Sequence, residues 1–125
     1  MFEKPFWANR NWHMLPVGSR VTCNPKPFDT DEDWLILDDC DVLEKLQSFG
    51  FISEGDPQFY TGNDNGSFRS LRLANYNAIV TPDMKFFNLF MTATELAKRF
   101  NLLEKNDRIA LFQAVLYGVT VSNLK

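Results

Sequence analysis

The residues best placed to do chemistry are Asp31 and Asp33, in the stretch "FDTDEDWLILDD" at positions 28–39. Four acids, Asp29, Asp31, Glu32 and Asp33, run directly into the apolar segment Trp34-Leu35-Ile36-Leu37, and two more follow it. Alternate residues of a strand share a face. Asp31, Asp33, Leu35 and Leu37 therefore fall on one side, and Trp34 and Ile36 on the other. Two carboxylates that close repel each other unless something offsets the charge. A divalent cation does so, and Mg²⁺ takes oxygen ligands, typically one or two carboxylates plus substrate phosphates. The plainer reading is an acidic lead-in that caps a strand and keeps it soluble.

Upstream lies Val17-Gly18-Ser19-Arg20. A Gly-Ser turn after a strand lets backbone N–H groups approach a phosphate closely. Ser19 adds a hydroxyl donor and Arg20 a phosphate partner. The plainer reading here is a strand-ending turn. In order, the two segments give an apolar residue, Gly-Ser, about a dozen residues, then Asp-x-Asp and an apolar strand.

The pattern, "VGSR" at 17–20 and "DEDWLIL" at 31–37, resembles the signature of the DNA polymerase beta-like nucleotidyltransferase superfamily. Through "GSRVTC", "DTDEDWLIL" and "EKNDRIALFQAVLYG" the chain is also similar to small nucleotidyltransferase-like proteins of tailed bacteriophages. The resemblance implies an NTP-binding protein that uses Mg²⁺ or Mn²⁺ and transfers a nucleoside monophosphate to a protein or RNA acceptor. Gly18, Ser19 and Arg20 would hold the triphosphate, and Asp31 and Asp33 would ligate metal. The family usually carries a third carboxylate on a later strand; the residue at that register, before Ala78-Ile79-Val80, is Asn77. An amide accepts hydrogen bonds but is a poor base and a weak Mg²⁺ ligand. Asn75, Asp64 and Asp83 lie nearby in sequence but out of register. Glu32 stands between the aspartates where an apolar residue is usual, and Pro25 and Pro27 interrupt the helix expected after Gly-Ser. A second class of function follows: a nucleotidyltransferase fold without chemistry, docking on another protein such as a host factor of a phage.

The elements that must position these residues can be read from periodicity. The 125 residues suffice for one domain, and 45% of them are hydrophobic, including twelve Phe and three Trp. Strands are expected over Trp12–Val17, Asp33–Leu37, Ser67–Leu73 and Tyr76–Thr81, with "RLANYN" turning between the last two. Helices are expected over Asp41–Phe49, stopped by Gly50, and over residues 84–100 and 105–117. Thr81-Pro82 reads as the start of the first long helix, and Gly118 as the stop of the second. Residues 53–67, with "NDNG" at 63–66, read as loop or hairpin. The expected class is α+β: a small mixed β-sheet with helices packed on one face, nucleotidyltransferase-like.

Other features exclude more than they assign. Net charge is −3 with no long Lys/Arg run, so duplex DNA is not expected as a partner. His13 is the only histidine and the two cysteines, Cys23 and Cys40, have no neighbouring base, so a zinc centre or a thiol nucleophile is not expected. No apolar stretch approaches the ~18 residues of a membrane span, and the first residues lack a signal-peptide layout, so a cytoplasmic setting is expected. His13 beside Trp12 reads as packing, Arg69 and Arg72 as solvated strand charges rather than triphosphate contacts, and the stripe Phe86, Phe90, Ala93, Ala97, Phe100 as core. Phe2, Phe6 and Trp7 read either as a cover over the core or as a surface for a partner.

Overall fold

A computed structural model describes residues 3–25, 31–39, 41–53 and 68–117. The expectations for Phe2, Pro27, Asp29, Cys40, Asp64, Gly118 and the 54–67 turn region fall outside the described residues. The elements are β1 (Met14–Val17), α1 (Ser19–Thr22), β2 (Glu32–Leu37), α2 (Val42–Ser48), β3 (Ile52–Ser53), β4 (Arg69–Leu73), β5 (Tyr76–Thr81), α3 (Met84–Arg99) and α4 (Lys105–Tyr117). The five strands form one mixed sheet in the order β1-β2-β5-β4-β3. β2 and β5 pair in parallel at its centre, and the other pairs are antiparallel. This is the expected α+β class.

β2 is apolar on both sides because both faces of the sheet are covered. Leu35 and Leu37 join Val17, Ile79 and Phe68 beneath Phe86, Phe87, Phe90, Ala93 and Ala97 of α3, and Phe112 of α4 caps this layer. Trp34 and Ile36 point the other way, against Met14, Ala78, Val80, Val42 and Leu46 of α2, and Trp7 and Trp12. Helices were expected on one face; the two long helices are there, while α2 and the N-terminal aromatics cover the other. Each fully buried Leu or Ile contributes about 1.5–3 kcal/mol. Leu35, Ile36, Leu46 and Leu71 are all at most 1% exposed, so the strand's position is strongly held from both sides.

Local chemistry sets the boundaries. Pro16 sits in β1, an edge strand, where a missing N–H is tolerated. The segment after Gly18 does form a helix, α1, but only one turn of it. It ends at Cys23, ahead of Asn24-Pro25, as the prolines require. Gly50 follows α2 with φ +107° and its N–H reaches Gln47 O, the left-handed helix stop that glycine adopts without strain. The start of α3 differs from expectation. Asp83 is the N-cap and accepts from the Lys85 N–H at 2.9 Å, while Thr81 remains in β5 and its Oγ1 accepts from the Asp83 N–H.

The N-terminal aromatics divide their roles. Trp7 is buried between Phe51 and Tyr76, with ring centroids 4.9 and 5.6 Å away, whereas Phe6 is exposed and meets Tyr76 in a T-shaped pair. Lys4 Nζ ties this segment down by donating to the carbonyls of Arg10 and Trp12. His13 does not pack. Trp12 takes the inward position, and His13 is left exposed at the sheet end opposite the aspartates, its Nδ1 3.6 Å from Asp39 Oδ2. No helix among the described residues is long and apolar enough to cross a membrane.

Candidate functional site

Register assembles the site. Val17 of β1 pairs with Asp33 of β2, Asp33 with Asn77 of β5, Asn77 with Arg72 of β4, and Arg72 with Ile52 of β3. These five residues form one row across the whole sheet, on the face that α3 covers further along. Asp31 immediately precedes β2 and shares the facing of Asp33.

Gly18 follows β1 and so arrives beside Asp33. Its φ is +81°, a conformation that disfavours any side chain, and a Cβ built on it would overlap Asp33 Oδ2. Glycine is thus required here twice, by backbone angle and by the nearness of a carboxylate. Ser19 and Arg20 continue into α1. Arg20 Nη1 lies 3.8 Å from Glu32 Oε1, and Glu32 Oε2 accepts from Trp34 Nε1 at 2.7 Å. The glutamate that departs from the resembled pattern is therefore held by a tryptophan and an arginine on the strand's other side.

Asp33 Oδ1 accepts from Asn77 Nδ2 at 3.2 Å, and Asn77 Oδ1 accepts from Ser70 Oγ at 3.0 Å. The ionised aspartate, an acceptor only, selects the NH2 end of the amide, and the serine hydroxyl donates to the other end. Asp31 Oδ2 accepts from Arg72 Nη2 at 2.7 Å. Arg72 is thus an ion-pair partner within the site and not the solvated strand charge its sequence context suggested.

The two carboxyls are driven apart in acidity. Burial pushes Asp33 up to about 6; the charge of Asp31 adds to this, while the Asn77 hydrogen bond and the charges of Arg72 and Arg20 oppose it. The Arg72 hydrogen bond holds Asp31 below the ordinary carboxylate range against a smaller effect of burial. Carboxyls so separated divide their roles: Asp31 is a fixed negative charge, and Asp33 can carry a proton just below neutral pH.

All six residues singled out from sequence lie at this end of the sheet, with Gly18, Asp33 and Asn77 in direct contact and Arg20 turned toward Glu32. Ser70 was not singled out, and Arg72 was weighed but read as a solvated charge. Their signal was present: a two-residue turn at Ala74-Asn75 places Leu73 opposite Tyr76 and hence Arg72 opposite Asn77. The donor set supplies two carboxylates on one face. No group of three or more His, Cys, Asp or Glu side chains suited to a metal occurs among the described residues. Such a site fits a Mg²⁺ that brings phosphate oxygens with it better than a bare ion needing an all-protein cage.

No family model matches the chain, and no curated protein and no solved structure matches it either.

Proposed function

We propose that this chain binds a nucleoside triphosphate as its Mg²⁺ complex in a nucleotidyltransferase-like site, with Mn²⁺ as an alternative metal. Asp31 and Asp33 hold the cation, Gly18 and Ser19 face the phosphates, and Arg20 joins them by leaving Glu32. The observation that carries this reading is the contact between Gly18 and Asp33. Two motifs separate in sequence meet at one carboxylate, through a glycine that no other residue could replace without displacing that carboxylate. The metal, when bound, neutralises phosphate charge and polarises the reacting phosphoryl group. Asp33 keeps its orientation through Asn77 and, above its pKa of about 6, offers a charged oxygen.

Transfer of a nucleoside monophosphate to a protein or RNA acceptor is the activity such a site suggests, and Asn77 limits it. The amide cannot take the acceptor's proton, and losing a base typically costs on the order of 10²–10⁴-fold in rate. Asn77 is bonded on both sides, to Ser70 and to Asp33, which favours a second reading: a nucleotidyltransferase-like fold kept for binding, to nucleotide or to a protein such as a phage's host factor. A reducing cytoplasm, the host's if the protein is phage-encoded, suits the buried free thiol of Cys23.

Calorimetric titration with ATP, GTP, CTP and UTP, each with saturating Mg²⁺, tests the reading. Saturable binding of at least one, abolished by Asp31→Asn and by Asp33→Asn, is expected. Failure of all four to bind ends it and leaves the docking role.

A further inference from the structure

Arg72 ends the polar part of the cross-sheet row, two strands from Asp33. Among the contacts of its guanidinium, Nη2 meets Asp31 Oδ2 at 2.7 Å and Nη1 reaches the Ala74 carbonyl at 3.5 Å. The side chains are 33% and 42% exposed, so water reaches the pair and it can open. Its charge matters where it stands, because without it Asp31 faces the like charge of Asp33 on the same strand face with only the smaller effect of Arg20 to offset it. A cation at the carboxylates would supply that neutralisation instead. The guanidinium would then lie at the site's edge, and the Nη2 arm released by Asp31 would turn to a phosphate, a group whose geometry arginine matches well.

We propose that Arg72 is an exchangeable counter-ion: it holds Asp31 in the resting protein and turns to a phosphate when a metal-bound polyphosphate enters and the metal takes Asp31. The inference rests on the nucleotide reading above and adds to it a phosphate ligand and a barrier against bare metal. No covalent bond changes; two ion pairs trade partners. Arg72 then opposes one ligand and favours the other, which a strut between strands would not do.

The test compares wild type, Arg72→Gln and Arg72→Lys in two titrations: Mn²⁺ alone, followed by its electron paramagnetic resonance, and magnesium tripolyphosphate, which carries no base, followed by calorimetry. Arg72→Gln should bind Mn²⁺ roughly ten-fold more tightly and magnesium tripolyphosphate roughly ten-fold more weakly than wild type. Arg72→Lys, which keeps charge without the fork, should fall between. Arg69→Gln, on the opposite sheet face, should change neither. Circular dichroism reports that each variant is folded. Affinities that fall together, or a Mn²⁺ affinity unchanged in Arg72→Gln, overturn the exchange while wild-type polyphosphate binding still stands. Wild type that binds neither the four nucleotides nor tripolyphosphate removes the nucleotide reading itself.

Discussion

Asp33 and Leu35 are neighbours on the same face of the same strand, yet they live in different chemistry. Leu35 is fully buried under the phenylalanines of α3. Asp33, one row nearer the end of the sheet, is covered instead by the Gly18 turn and flanked by Asn77 and Asp31. Water is excluded from Leu35 and partly from Asp33, and only Asp33 has polar partners. The difference shows how a site is made at little cost to the fold: the helix layer holds the strand rigid, and the row just beyond it carries groups that no core would tolerate.

Substitutions that erase this contrast rank by size. Leu35→Ala should have the largest effect, costing about 2–5 kcal/mol in chemical denaturation, because α3 and the strand cannot close the cavity together. Gly18→Ala comes next. The positive φ alone costs roughly 1–3 kcal/mol, and the added Cβ must push the Asp33 carboxylate aside. Its mark is a loss of nucleotide binding out of proportion to the loss of stability.

Asp33→Asn should act in the opposite direction. The folded pKa of about 6 lies above the unfolded 3.8, so the folded state holds the extra proton between those values. Stability therefore falls as pH rises from about 4 to about 6 and is level above that, by roughly 2–3 kcal/mol at most. The variant should remove this slope, matching wild type near pH 4 and exceeding it at pH 8 in urea melts. A wild-type curve that rises through pH 4–6 contradicts the burial of Asp33. Asp31, with its lowered pKa, contributes the other way: its share is present above 3.8 and is lost as pH falls further.

Ser70→Ala should cost about 1 kcal/mol, by leaving Asn77 Oδ1 without its buried donor. With the amide's far end no longer held, its bond to Asp33 weakens, so the Asp33 titration should move upward by carbon-detected NMR, and Ser70→Thr should restore it. Arg72→Gln sits last, with a stability change inside ~1 kcal/mol, since a partly exposed pair holds little. Its consequence is for ligands.

Much of this arrangement was legible in one dimension. Alternation in "DEDWLIL" separates Asp33, Leu35 and Leu37 from Trp34 and Ile36, and the structure divides them between its two cores in that way. Helical spacing from 86 to 97 marked α3, although Phe100, expected in the same stripe, caps the helix and is exposed, and the two glycines at 18 and 50 marked turns that their φ angles require. Local periodicity reports such facts because each depends on neighbours within a few residues. What it could not report was who faces whom. His13 gave no sign that Trp12 would take the inward place, and Arg72 looked like any strand arginine. The parallel pairing of β2 with β5 joins residues more than forty positions apart, and that pairing brings Asn77 to Asp33 and Arg72 to Asp31. Sequence alone determined four of the five described strands, their two faces and the carboxylates at their rim, but not the short β3. Only the tertiary structure decided the counter-charges and the buried acidity of Asp33, because both depend on which distant strands the hydrophobic layers press together.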